Sequence, residues 1–186
     1  GTDQLIDLSR RADHWEYTAI TRVSARAGPL RRVRVRLPAA LNVMPEIEPT
    51  ENVISVEETE GGGAIVIFAP DPRSPEEFAF VVRSRITPPA AGDWLPPTPA
   101  VMNSRIGNRY LTLAADSAFS PIAADVDEIG ADEIPEWARS TGPDSSRPED
   151  EARTFRLMAS RVALRRHVAE SGSSVDVVLA EGFLWL

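Results

Sequence analysis

Trp15-Glu16-Tyr17-Thr18-Ala19-Ile20-Thr21-Arg22-Val23-Ser24-Ala25, followed beyond Ala27-Gly28-Pro29 by Arg32-Val33-Arg34-Val35-Arg36-Leu37-Pro38, is the stretch that decides the fold class. Trp15, Tyr17, Ala19, Thr21, Val23 and Ala25 alternate with mostly polar neighbours, and Val33, Val35 and Leu37 alternate with arginines. A side-chain period of two belongs to extended strands, so each segment reads as a strand with one face toward a core. With Ala27-Gly28-Pro29 as the turn, residues 15–37 are expected to form an antiparallel pair with one wet face.

Outward from this stretch the same texture continues. Val53 to Glu58, Ala64 to Ala69, Phe78 to Thr87 and Arg109 to Ala115 are β-type runs, with Gly61-Gly62-Gly63 and Gly107-Asn108 as turn signals. Residues 88–99 hold five prolines, which is too stiff and too poor in donors for a central strand or a helix, so they are expected to cross between sheets. Residues 116–139 turn acidic and Ala-rich, and Pro135 suits the first turn of a short helix near Trp137. The expected fold is therefore mainly β: an antiparallel β-sandwich-like domain over 12–140 with a short helical insert.

Ser140 to Pro148 reads as a linker, placed at 141–148, with 149–186 as a C-terminal segment forming part of a second, smaller unit. Two patterns compete there. Ser146, Pro148, Glu149, Asp150 and Glu151 followed by a basic end at Arg165 and Arg166 suit a helix, whereas Val162, Leu164, Arg166 and Val168 alternate as a strand would, as do Val175, Val177 and Leu179. Strands from about 153 onward are preferred, because they continue the β character of the chain. The start at Gly1 and the apolar end Gly182-Phe183-Leu184-Trp185-Leu186 lead us to expect a piece of a longer protein.

Composition removes several classes of chemistry. The 186 residues contain no cysteine, which excludes disulfides, thiolate metal sites and a cysteine nucleophile. All 20 basic residues counted as Lys or Arg are arginine, so Schiff-base chemistry and a phosphate-loop lysine are excluded too. His14 and His167 are the only histidines, and neither lies in a recognisable nucleophile motif. No glycine-rich phosphate loop or zinc-protease motif occurs, so no catalytic residue is assigned and a non-enzyme is expected. A net charge of −8 opposes nucleic acid and anionic membranes, and no apolar run reaches the ~20 residues of a spanning helix.

Three constellations remain. Arg32, Arg34 and Arg36 project from one strand face about 6.6 Å apart, a spacing at which guanidinium forks can grip sulfate or carboxylate groups repeated along a polymer. The competing reading, preferred on frequency, pairs them with acidic side chains such as Glu57 on a neighbouring strand. Trp94, in the Pro-rich segment, is the one tryptophan of four read as a sugar-contact residue. Finally, Asp125, Asp127, Glu133 and Glu136 occupy positions 1, 3, 9 and 12 of a calcium loop with Gly130 at 6, but Ile129 stands where position 5 needs an oxygen ligand. A solvated acidic loop is the preferred reading, with calcium as its alternative and no other cofactor expected.

Val33-Arg34-Val35-Arg36-Leu37-Pro38, Ala64-Ile65-Val66-Ile67-Phe68-Ala69 and Phe78-Ala79-Phe80-Val81-Val82, then the Pro-rich crossing, resemble the β-domains that recur in large GC-rich bacterial envelope or secreted proteins. The resemblance covers about half of the chain and carries no catalytic residue. It implies an extracytoplasmic structural or interaction domain whose partners are other domains of the same longer chain, another protein, or a glycan.

Overall fold

Alternation along Val33–Leu37 is realised as drawn: Val33, Val35 and Leu37 are buried and the arginines between them exposed. The computed structural model describes residues 1–11, 14–41, 45–73, 76–114, 117–122, 126–139, 152–158 and 162–167. Their strands are, in chain order, β1 (Thr2–Arg10), β2 (Trp15–Ser24), β3 (Val33–Leu37), β4 (Glu46–Glu48), β5 (Val53–Glu58), β6 (Ala64–Phe68), β7 (Glu77–Ile86), β8 (Asp93–Trp94), β9 (Ala100–Val101), β10 (Ile106–Ala114), β11 (Phe119–Pro121), β12 (Val126–Ile129), β13 (Ala152–Leu157) and β14 (Leu164–Arg166). One short helix, α1 (Glu136–Arg139), starts directly after Pro135.

The strands form three sheets, ordered β12-β13-β10-β1-β2-β7-β4, β5-β6-β3-β9 and β11-β14-β8. One face of the seven-stranded sheet packs on the two smaller ones. Ile6, Leu8, Tyr17, Val23, Phe78, Phe80, Leu111 and Phe155 from the large sheet share a single buried cluster with Val33, Val35, Leu37, Val66, Phe68, Phe119 and Leu164 from the other two. The fold is thus mainly β and sandwich-like, as expected. A second cluster lies on the far face, where Leu5, Ile20, Val81, Tyr110 and Ile129 are joined by Trp137 and Ala138 of α1.

The expected hairpin over residues 15–37 does not form. β2 pairs with β1 and β7, whereas β3 pairs with β6 and β9 in the opposite sheet. The two strands therefore meet across the core, and residues 25–32 carry the chain between layers; β2, a central strand, is buried on both faces and lacks the wet face expected of it. Alternation specifies which face is buried, and it is silent on which strand lies alongside. β5 and β6, by contrast, form the hairpin expected around Gly61-Gly62-Gly63, closed by Thr59 N–H donating to Gly63 O at 2.8 Å. Gly63 is required by close approach: a Cβ there would stand 2.4 Å from Leu37 O.

The Pro-rich segment does cross between sheets, passing through β8 of the three-stranded sheet and β9 of the four-stranded one. It is tied to the large sheet by two buried hydrogen bonds. Tyr17 Oη donates to Pro97 O at 2.7 Å, and Gln4 Nε2 donates to Pro99 O at 3.1 Å. Proline carbonyls keep both lone pairs, so a segment without ladder donors is still anchored through its acceptors.

The linker placed at 141–148 lies outside the described residues. The strands after it, expected in a second unit over 149–186, pair with the strands before it. β13 sits between β10 and β12, and β14 between β11 and β8. Phe155 and Leu164 are buried in the main cluster, so residues 152–157 and 164–166 complete the first unit rather than begin another. Among the described residues no helix is long and apolar enough to cross a membrane.

Candidate functional site: an arginine-rimmed cleft

At one end of the sandwich a cleft of about 670 Å³ opens between the end of β2, the start of β3 and the loop after β9. Its apolar base is Val23, Val33 and Val101, and its rim carries Arg26, Arg32, Arg34 and Arg105. Two local features make it. Gly28, at φ 72°, turns the loop leaving β2 so that Arg26 and Leu30 both border the cleft, and Leu30 packs on the core. Met102 N–H donates to Arg34 O at 2.8 Å and continues the β9 ladder by one step. Asn103 then adopts φ 58°, a left-handed conformation that asparagine tolerates better than most residues, and the chain leaves β3. It is caught by β1, where Thr2 N–H donates to Arg105 O at 2.9 Å and the Thr2 and Ser104 hydroxyls hydrogen-bond. The cleft is the space left where β9 stops covering the edge of β3.

Its charge is uncompensated locally. Elsewhere among the described residues arginines pair with acids, Arg11 with Glu16, Arg22 with Glu77, Arg83 with Glu48, Arg153 with Glu128, Arg156 with Glu133 and Arg165 with Asp93. Among the described residues, Arg26, Arg32, Arg34 and Arg105 form no ion pair with any carboxylate, and all four are exposed. Four arginines bordering one concavity concentrate like charge around it, and an anion with several oxygens offsets that charge and can accept forked hydrogen bonds.

Arg36 continues the row on β3 without lining the cleft. The proposed ladder with Glu57 is absent because β5 is not the neighbour of β3. β6 intervenes, so that Arg36 faces Ile65 and Ile65 faces Glu57. Trp94, chosen with these arginines, belongs elsewhere: it lies on β8 in the three-stranded sheet, half-buried, with its ring 5.5 Å from that of Phe119. Trp15 packs edge-on against the same phenyl at 5.3 Å and Trp137 against Tyr110 at 6.4 Å, while Trp185 lies outside the described residues.

The acidic set is dispersed. Asp125 lies outside the described residues. Asp127 is exposed on β12 opposite Arg156, in extended backbone rather than a loop. Glu133 Oε2 accepts from Gly130 N–H at 3.1 Å across a 3₁₀ turn that Glu133 N–H closes by donating to Gly130 O at 3.0 Å, and the other carboxylate oxygen lies 3.7 Å from Arg156, while Glu136 opens α1. Among the described residues no group of three acids or histidines is placed to hold a metal ion.

One pairing was not anticipated. Ser120 Oγ and His167 Nε2 are hydrogen-bonded across β11 and the end of β14, which is the contact a hydroxyl nucleophile makes with its base. Of the two amides flanking Ser120, Phe119 N–H donates to Ser117 Oγ at 3.2 Å, and residue 121 is proline. Neither flanking amide is left to stabilise an oxyanion. Arg26 and Arg105 were also missed, since each is a single loop arginine whose neighbours are set by the folding of distant segments.

No protein-family model matches the chain, and no curated protein is found to be similar to it.

Proposed function

We propose that this chain is a non-catalytic interaction domain of a larger bacterial envelope or secreted protein, and that its cleft holds an anionic polysaccharide. The observation that carries the reading is the set of four arginines that, among the described residues, have no carboxylate partner and border one cavity, in a protein of net charge −8. Among the described residues six arginines elsewhere pair with carboxylates, while Arg10, Arg31, Arg36, Arg73, Arg139 and Arg166 do not, so what sets the four apart is that they border one concavity. Their segregation supports a role in which the partner charge comes from outside. The domain needs no cofactor for this, and the sandwich core holds the rim in place before the ligand arrives.

Thermal unfolding with heparin as the sulfated glycan, polygalacturonate as the carboxylated one, dextran as the neutral one, and calcium or EDTA tests the reading. Saturating anionic glycan at about 100 times its Kd adds ~2.7 kcal/mol and raises Tm by several degrees. Arg34→Ala and Arg105→Ala should abolish most of that rise while leaving the unliganded Tm unchanged. Equal shifts with dextran, or a heparin shift intact in both variants, would defeat the proposal. A rise with calcium alone would instead assign the chain as a calcium-stabilised domain.

A further inference from the structure

Arg36 lies beyond the cleft on the same strand face as Arg34, with Arg32 just before the strand, so three guanidinium groups extend about 13 Å at the ~3.3 Å rise of a strand. Alongside them runs a second row. Ile67 is in register with Arg34 and Ile65 with Arg36, both half-buried with part of each side chain open to solvent. On the opposite flank Arg36 faces Ala100, a side chain too short to cover it. Beyond the isoleucines come Ser55 and Glu57, and the carboxylate of Glu57 bounds the row on the β5 side. The outer face of β3 and β6 is therefore a lane with cationic groups on one side and aliphatic groups on the other, about 4.8 Å apart, opening at one end into the arginine cleft.

Resting on the cleft reading, we propose that the ligand is a linear anionic glycan bound along this lane as a chain: one terminal unit enters the cleft and the following units lie over β3 and β6. A pyranose presents an apolar C–H face and carries its sulfate or carboxylate groups at the ring edge, which matches an aliphatic row beside a cationic one. A single small anion has no use for Arg36 or the isoleucines, whereas a chain leaving the cleft along β3 meets both. An acidic peptide in extended form matches the arginine spacing but brings no ring face to Ile65 and Ile67, which is why the glycan is favoured.

Calorimetric titration with heparin-derived oligosaccharides from disaccharide to decasaccharide, and with poly-glutamate, separates the possibilities. Affinity should climb with length over the first few sugar units and then level off once the lane is filled. Arg36→Gln should weaken the longer oligosaccharides about fivefold and leave the disaccharide unchanged, Arg36→Lys should recover part of the loss, and Arg105→Ala should weaken every length. Ile67→Thr, which keeps the β-branch, should weaken the long oligosaccharides and not poly-glutamate. Length-independent binding, or long oligosaccharides unaffected by Arg36→Gln, would overturn the lane while sparing the cleft. Tighter binding of poly-glutamate would replace the glycan with an acidic protein segment. Absence of binding at every length would remove the cleft reading itself.

Discussion

Tyr17 shows how one side chain joins the fold to the site. Its ring is buried in the main cluster and its hydroxyl donates to Pro97 O, fixing the Pro-rich segment whose end supplies β9 and, beyond it, the cleft loop. Burial pushes the phenol well above its ordinary pKa of 10, which favours the neutral hydroxyl that donates to Pro97 O. Tyr17→Phe leaves the Pro97 carbonyl buried without that donor and should cost about 1–3 kcal/mol in urea unfolding. Affinity for heparin in the variant at 10 °C should stay within twofold, because β3 and its arginines are held by their own ladder with β6. A loss of binding at full foldedness would mean that the segment, and not β3, sets the cleft geometry. At this scale Arg32, Arg34 and Arg36 could be read from alternation alone, because it sorts exposed from buried positions. Trp94 could not, since a proline-flanked tryptophan looks equally suited to a loop contact and to packing on Phe119.

Elements were more legible than their partners. The runs beginning at Trp15, Val33, Val53, Ala64, Phe78 and Arg109 all contain strands, and β13 and β14 match the start of the strands expected after residue 153, while Val168, Val175, Val177 and Leu179 lie outside the described residues. β1 was missed because Leu5, Ile6 and Leu8 are buried on both faces of a central strand, which breaks the period of two that marks a half-exposed one. Strand neighbours escaped for a different reason: the parallel pairing of β1 with β10 joins residues about a hundred positions apart, and no local pattern encodes it.

The far edge of the same sheet gives a pH prediction. Arg153 donates to both oxygens of Glu128 at 2.9 and 2.8 Å, linking β13 to β12, and this holds the carboxyl below its ordinary value of 4.5. Between the folded and the ordinary pKa the unfolded chain binds more protons, so acid favours unfolding there. The stabilisation is complete above the ordinary value and lost as pH falls through the folded one. With both side chains roughly half exposed, at 45% and 51%, it amounts to about 0.2–1 kcal/mol. Glu128→Gln should therefore melt slightly below the parent at pH 7, and the two curves should converge as pH falls past that window. A difference that persists unchanged at acid pH would assign the effect to packing rather than to the ion pair.

For the molecule as a whole, the question is how a chain of net charge −8 attracts a polyanion at all. The answer lies in the range over which charge is felt. At 0.01 M salt the screening length is about 30 Å, so an approaching glycan senses the whole acidic protein as well as the cleft. At physiological ionic strength it falls to about 8 Å, and the field at the cleft is then dominated by Arg26, Arg32, Arg34 and Arg105. Near 1 M it is about 3 Å, and even direct guanidinium contacts are weakened. A uniformly basic binder loses affinity steadily as salt rises. Here the long-range repulsion is screened first and the short-range attraction last, so affinity for a heparin hexasaccharide should be flat or pass through a maximum between roughly 0.05 and 0.15 M before declining. Calorimetry across that range at pH 7 measures it. A steep monotonic fall from the lowest salt would mean that the cleft field overrides the whole-chain charge at every distance, and would imply that more arginines take part than the four on its rim and Arg36 on the lane.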